Sequence, residues 1–287
     1  MNKLKIKEKS MSILFGVCGI TALIFVAVIT AFLLISGLPA VKEIGIFDFL
    51  FGKVWRPTAA EPLYGIFPFI ASSVLGTFGA IIIGVPIGLF CAIYLSKFAP
   101  KKFGKIIKGA VELLAGIPSV VYGLVGMIII VPAVRHIFGL PDGANLFSAI
   151  IVLSVMILPS VISVSETAIK AVPKEYEEGS LALGATKTET VFKIIVPAAK
   201  SGILTSVVLG IGRAIGEAMA VMMVSGNTPN MPKLFGSVRF LTTAVASEMS
   251  YSSGLQRQTL FSIALVLFIF ILIINLILNL VIKKKEE

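Results

Sequence analysis

Six stretches of this chain are mostly apolar over about 20 residues or more, near residues 13–36, 67–95, 106–134, 146–164, 202–224 and 260–282. A helix needs about 20 apolar residues to cross roughly 30 Å of hydrocarbon at 1.5 Å per residue. Each stretch is close to that length or above it, so the pattern predicts six spans. Pro118, Pro132 and Pro159 interrupt the third and fourth. A membrane tolerates such prolines when neighbouring helices or polar groups satisfy the carbonyls they free. Lys3, Lys5, Lys7 and Lys9 precede the first stretch in the manner of a secretory signal. Its apolar run exceeds the roughly 7 to 15 residues of a signal core, and no small-x-small cleavage site follows Ser36, so it is read as a span.

Composition agrees with lipid as the main solvent. Of 287 residues, 57% are apolar and 14% charged, and the mean hydropathy is +1.01, outside the soluble range. A net charge of +10 would fit a nucleic-acid partner if the lysines shared one soluble face. They follow topology instead. The N-terminus, the second loop, the fourth loop and the tail carry 17 basic residues, against 7 in the alternate loops. The positive-inside rule then puts both termini in the cytoplasm of a bacterial or archaeal plasma membrane, as an even number of spans also requires. Cys18 and Cys91 fall inside expected spans and His136 is the sole histidine, so neither a disulfide framework nor a metal centre is expected.

Between spans, segments 37–66, 135–145 and 225–259 fall on the outer side and are rich in turn residues, which suggests short interfacial helices. The fourth loop, 166–201, is longer than a simple connection and strongly patterned. Pro173 precedes a run of helix formers, Gly184 breaks the pattern, and 186–196 is amphipathic, so helix, turn, helix is expected. No GxxxxGK[ST] phosphate loop occurs anywhere in the sequence. Gly210, Gly212 and Gly216 sit inside a span and read as glycines for close helix packing.

The fourth loop carries the most specific signal. Glu178-Gly179-Ser180 is followed by three residues, Gly184, nine residues, and Ile194-Ile195-Val196-Pro197. This resembles the EAA loop of type I ABC importer permeases, with Gly179-Ser180 in place of two alanines and Val196 in place of leucine. The resemblance implies an all-α membrane protein with six transmembrane helices in the MetI-like bundle. It also implies a coupling loop in which Glu178, Gly184, Ala185, Thr186 and Pro197 serve docking to a separate cytoplasmic ATPase. An amphipathic hairpin lying on the inner leaflet is the plainer alternative.

Two charges stand inside the fifth span. Arg213 and Glu217 are four residues apart, hence expected on one helical face. A central arginine costs about 2.5 to 3.5 kcal/mol to insert, so the pair should face protein or water. Arg213 would meet a passing anion and Glu217 hold its guanidinium, or the two would simply staple helices together. In the third span Glu112, Gly116, Ser119, Gly123 and Gly126 form a small or polar stripe at helical spacing, and Pro118 should kink the helix and free the carbonyl near Leu114. These runs, with Trp55-Arg56-Pro57 and 64–70, resemble the PstC family of phosphate permease subunits. That resemblance implies a translocation path including Arg213, Glu217, Ser119 and Tyr122. Its implied partners are a PstA-like permease, a PstB-like ATPase dimer that binds the ATP, and a PstS-like external phosphate-binding protein. The chain itself would hold no cofactor, metal or catalytic residue.

Residues 1–66 would then be the cytoplasmic tail, first span and outer segment, and 67–287 the permease domain. Three alternatives stay open: a permease for molybdate or sulfate, a carrier driven by an ion gradient, and a membrane-embedded enzyme. The carrier leaves the fourth loop unexplained, and the enzyme lacks a paired His, Cys or Asp constellation.

Overall fold

The computed structural model of the chain describes residues 2–283; Lys284 and Lys285 of the basic tail lie outside it. It is a helical bundle. In chain order the elements are α1 (Asn2–Ile44), α2 (Ile46–Phe51), β1 (Trp55–Arg56), β2 (Leu63–Tyr64), α3 (Phe67–Ile93), α4 (Lys101–Gly116), α5 (Ser119–Val125), α6 (Val131–Phe138) and α7 (Leu146–Lys170). They continue as α8 (Lys174–Ala182), α9 (Lys187–Thr190), α10 (Val196–Ala198), α11 (Lys200–Gly216), α12 (Met219–Val224), α13 (Leu241–Glu248) and α14 (Gly254–Lys283). Three π-helical turns, Tyr94–Phe98, Gly126–Ile130 and Val191–Ile195, extend α3, join α5 to α6, and join α9 to α10.

The centre of the bundle is α7. Facing it, α3 carries small residues where the helices cross: a Cβ on Gly79 would meet Ile150, one on Gly84 would meet Ile157, and one on Gly88 would meet Val161, all within 3 Å. Lipid offers no hydrophobic drive between helices, so this close backbone approach and the dispersion it brings hold the pair together. Leu153, Met156, Ile157 and Val161 are fully enclosed. Gly210 brings α11 onto the same helix, 3.3 Å from Val161 as measured from an added Cβ. At one end of the bundle the β1–β2 hairpin pairs Trp55 with Tyr64, and with α2, α13 and the start of α14 it encloses Phe49, Phe69, Leu241 and Ile263. Among the described residues helix α1 meets the bundle through its C-terminal half, where Ser262 Oγ donates to the Gly37 carbonyl at 2.7 Å and Phe32 meets Phe261 edge to face.

Among the described residues five helices are individually long and apolar enough to span: Glu8–Ile44, Phe67–Phe98, Ser119–Phe138, Leu146–Lys170 and Gly254–Ile277. A sixth arises when the bent pair Lys187–Ala198 and Lys200–Gly216, which meet at 69°, is taken as one span. The expected unbroken span 202–224 is two helices, α11 and α12, parted at Glu217–Ala218. The expected span 106–134 is likewise broken. Helix α4 stops at Gly116, Ile117 is extended (φ −71°, ψ 128°), and a new helix starts at Ser119. Pro118 is the cause, since its ring excludes the α conformation from the residue before it. The stripe from Glu112 to Gly126 therefore does not exist as one face: Gly116 looks into open space, while Gly123 and Gly126 are buried in packing.

Both breaks lie against each other. Helix α5 packs on α12 through Gly123, where an added Cβ would come within 2.8 Å of Ala220 Cα and Met223 Sδ. Gly123→Leu is expected to destabilise the detergent-solubilised chain by about 1 to 3 kcal/mol through overpacking. Gly116→Ala, with no atom within 4 Å of its new methyl, should change stability by less than about 0.5 kcal/mol. Thermal unfolding of the two variants checks the contrast.

Candidate functional site

The first candidate site is built on the two helix breaks. Pro118 has no N–H and releases the Leu114 carbonyl, which is partly satisfied by Ile117 N at 3.3 Å and directly by Tyr122 Oη, which donates to it at 2.7 Å. Tyr122 is therefore a buried strut across the kink, 8% exposed, with Ser119 half-buried one turn earlier. In the other break Glu217 is extended (φ −73°, ψ 127°). Its Oε1 accepts from Ala220 N at 2.9 Å, capping α12, and its backbone carbonyl accepts from Thr242 Oγ1 at 2.7 Å.

This overturns the expected Arg213–Glu217 pairing. The chain leaves the helix at Glu217, so the four-residue spacing no longer sets a common face, and the carboxylate is committed to α12. Among the described residues no carboxylate comes within 4.0 Å of the Arg213 guanidinium. Arg213 sits in the last turn of α11, half-buried, where the unpaired carbonyls of the helix end favour a cation. Its neighbours Gly212 and Gly216 have nothing within 4 Å of an added Cβ, and neither has Gly116. Only Gly210 of the three fifth-span glycines packs inside this chain. Tyr122, Ala214 and Ala220 share one core, so both breaks and the arginine border the same region.

The second candidate site is the hairpin of α8 to α10. Its turn needs glycine, since Gly184 has φ +86°, in the left-handed region. Ala185 N closes the turn onto the Ser180 carbonyl at 3.2 Å. Thr186 then starts α9 with a reciprocal cap: Thr186 Oγ1 accepts from Glu189 N at 3.2 Å, and Glu189 Oε2 accepts from Thr186 N at 3.0 Å. Those Thr186 hydrogen bonds, with Lys193 beside them, hold the Glu189 carboxyl down to about 2 from its ordinary 4.5. The cap is thus charged above about pH 4.5 and is lost only as the pH falls toward 2.

The hairpin is fixed to the bundle on one side and bare on the other. Val191, Ile195 and Ala199 pack with Ala92, Ile93 and Ile169 at the ends of α3 and α7. Lys97 Nζ reaches Glu177 at 2.6 Å, and Ser180 Oγ lies 2.9 Å from Thr190 Oγ1. On the bare side Leu183 is 91% exposed, with Tyr176, Leu181 and Phe192 also exposed. Glu178 and Pro197 are exposed and Ala185 half-buried.

A third feature was not anticipated from the sequence. At the end of the bundle holding β1 and α13, Glu248 accepts from Trp55 Nε1 at 3.2 Å and Gln256 Nε2 at 3.0 Å, and pairs with Arg239. Arg239 also donates to the Asn227 carbonyl at 3.0 and 2.9 Å. These residues line a cleft of about 410 Å³ with Arg56 and Thr58. The lone tryptophan beside a turn-rich segment was the available signal, but its partner lies 193 positions away.

Residues 84–286 match the family of binding-protein-dependent transport system inner membrane components. The chain is 40% identical over 267 residues to the probable ABC transporter permease protein YqgH of Bacillus subtilis, covering 90% of this chain and 86% of that one. It is 35% identical over 263 residues to the phosphate transport system permease protein PstC of Pasteurella multocida (84% and 82% covered) and 34% identical over 284 residues to that of Haemophilus influenzae (92% and 89%). Among solved structures, a bacterial alginate ABC transporter in complex with an alginate-bound periplasmic protein superposes with TM-score 0.63 over 96% of this chain and 94% of its counterpart, at 16% identity. The MetNI methionine transporter, inward facing, gives 0.58 over 77% and 94%, at 19% identity. Those two likenesses concern the fold. With the family match over most of its length and relatives above 30% identity over nearly all of it, the chain belongs to the binding-protein-dependent transport system inner membrane components, multi-pass membrane proteins of ABC importers.

Proposed function

We infer that the chain is the phosphate-translocating permease subunit of an ATP-driven importer, itself without catalytic residues, metal or cofactor. One observation carries the reading of the path: Arg213, an intramembrane cation with no carboxylate within 4.0 Å among the described residues, lies near Gly212, Gly216 and Gly116, each with none of the described residues within 4 Å of an added Cβ. An uncompensated charge at that depth needs a water-filled route or an anion. A second, PstA-like permease packed beside these residues would complete the route, with Arg213 attracting the anion, Ser119 and Tyr122 along its wall, and Glu217 keeping the break rigid. Phosphate is the substrate favoured by the PstC relatives.

The bare apolar side of the hairpin suits a groove on a PstB-like ATPase dimer, which binds and hydrolyses the ATP. The basic loops, with both termini, lie in the cytoplasm by the positive-inside rule. The Glu248 cleft at the opposite end then faces outward, toward a PstS-like binding protein. ATP binding closes the ATPase pair, the hairpin carries that movement to α3 and α7, and the route opens alternately to either side.

Two outcomes test this in vesicles holding the four components. Arg213→Ala should reduce phosphate uptake to background while subunit assembly and ATP hydrolysis persist; normal uptake would remove Arg213 from the path. Sulfate and molybdate as competitors separate phosphate from other oxyanions. Leu183→Asp should weaken ATPase binding by about 2 kcal/mol, roughly thirtyfold, as for loss of a buried anchor. Gly184→Pro should do the same by another route, because proline cannot adopt φ +86°. Pull-down of the ATPase with undiminished yield would refute the docking role.

A further inference from the structure

Helix α4, which leads into the Pro118 break, buries little of its surface in this chain. Ile106 is 68% and Leu113 75% exposed, and Val111 is its one buried side chain. It is bounded by Pro100 and by the Ile117–Pro118 break, so it can turn as a unit. Its far end is tied by Tyr122 to the Leu114 carbonyl. At its middle the tie is ionic: Lys108 Nζ lies 3.9 Å from Glu166 Oε1 on α7.

We propose that the Lys108–Glu166 pair is a releasable latch that holds α4 against α7, and that both are positioning residues coupling the hairpin's movement to the Pro118 break. The argument rests on how Glu166 is neutralised. Its side chain is only 7% exposed, and a carboxylate that deep is strongly penalised if left alone. Lys170, one turn along the same helix, pairs with it at 2.5 Å. That partner moves with Glu166 whatever α7 does. Lys108 comes from another helix, at the loose limit of an ion pair, and is half exposed, so water receives its ammonium on release. Breaking the contact between helices therefore strands no buried charge. The latch is also wired to the hairpin: Glu177 of α8 pairs with Lys97, and the adjacent Ser96 Oγ lies 3.5 Å from the Glu166 carbonyl oxygen.

The proposal rests on the transport reading above, and its test separates the two. In vesicles with all four components, Lys108→Met should raise the ATP hydrolysed per phosphate carried by about fivefold, a typical size for a coupling residue. Lys108→Arg should restore the ratio, which a purely structural role would not require. Spin labels on exposed Lys105→Cys and Thr167→Cys, with Cys18→Ser and Cys91→Ala, leave the latch intact. Their separation should lengthen when ATP is trapped in the ATPase pair. An unchanged ratio in Lys108→Met, or a separation indifferent to nucleotide, overturns the latch. Should Lys108→Met fail to assemble, the labelled pair alone decides. Labels that separate in an assembly carrying no phosphate would uphold the latch while removing the transport reading.

Discussion

Hydrocarbon supplies no hydrogen bonds, so each backbone group that a helix break leaves unpaired must find a partner within the protein. Two breaks meet in the middle of this bundle, and their repair organises the rest. The Leu114 carbonyl freed by Pro118 receives the Tyr122 hydroxyl. The Ala220 amide of α12 donates to the Glu217 carboxylate, and the Glu217 carbonyl accepts from the Thr242 hydroxyl. Each repair comes from a side chain that would otherwise be costly in lipid. The breaks and their partners are mutually dependent, and Gly123 against Ala220 joins them into one unit.

That dependence explains why an arginine can be left without a counter-ion here. Glu217 is spent on the backbone, and Arg213 is held by the carbonyl end of α11. A salt bridge would have neutralised the guanidinium and removed its attraction for an anion. A helix end lowers the cost of the charge without cancelling it, which suits the proposed route, since a conduit must bind weakly enough to release.

The opposite treatment appears at the hairpin, where a cluster of polar side chains bonds locally. Thr186, Glu189, Lys193, Ser180 and Thr190 bond within α8 to α10. A rigid hairpin transmits force, while the bare Leu183 and Tyr176 keep one side free for a partner. The ion pairs at its root, Lys97–Glu177 and Glu166 with its two lysines, are the links that the proposed coupling would use.

The sequence alone determined the number and rough position of the spans, because length and uniform apolarity are what lipid demands. It also determined the hairpin, because the left-handed turn at Gly184 and the cap at Thr186 are local and carry their own residue preferences. The freed carbonyl at Leu114 was legible from Pro118, since proline acts on the four residues before it. What filled that carbonyl was not, and neither was the separation of Arg213 from Glu217. Helical spacing predicts a shared face only while the helix continues, and α11 ends at Gly216 through contacts with α12 and α13 that lie beyond any local pattern. The Glu248 cluster and the Glu166 latch were decided wholly by tertiary structure, because their partners come from distant helices and a buried charge acquires its meaning only from what packing places beside it.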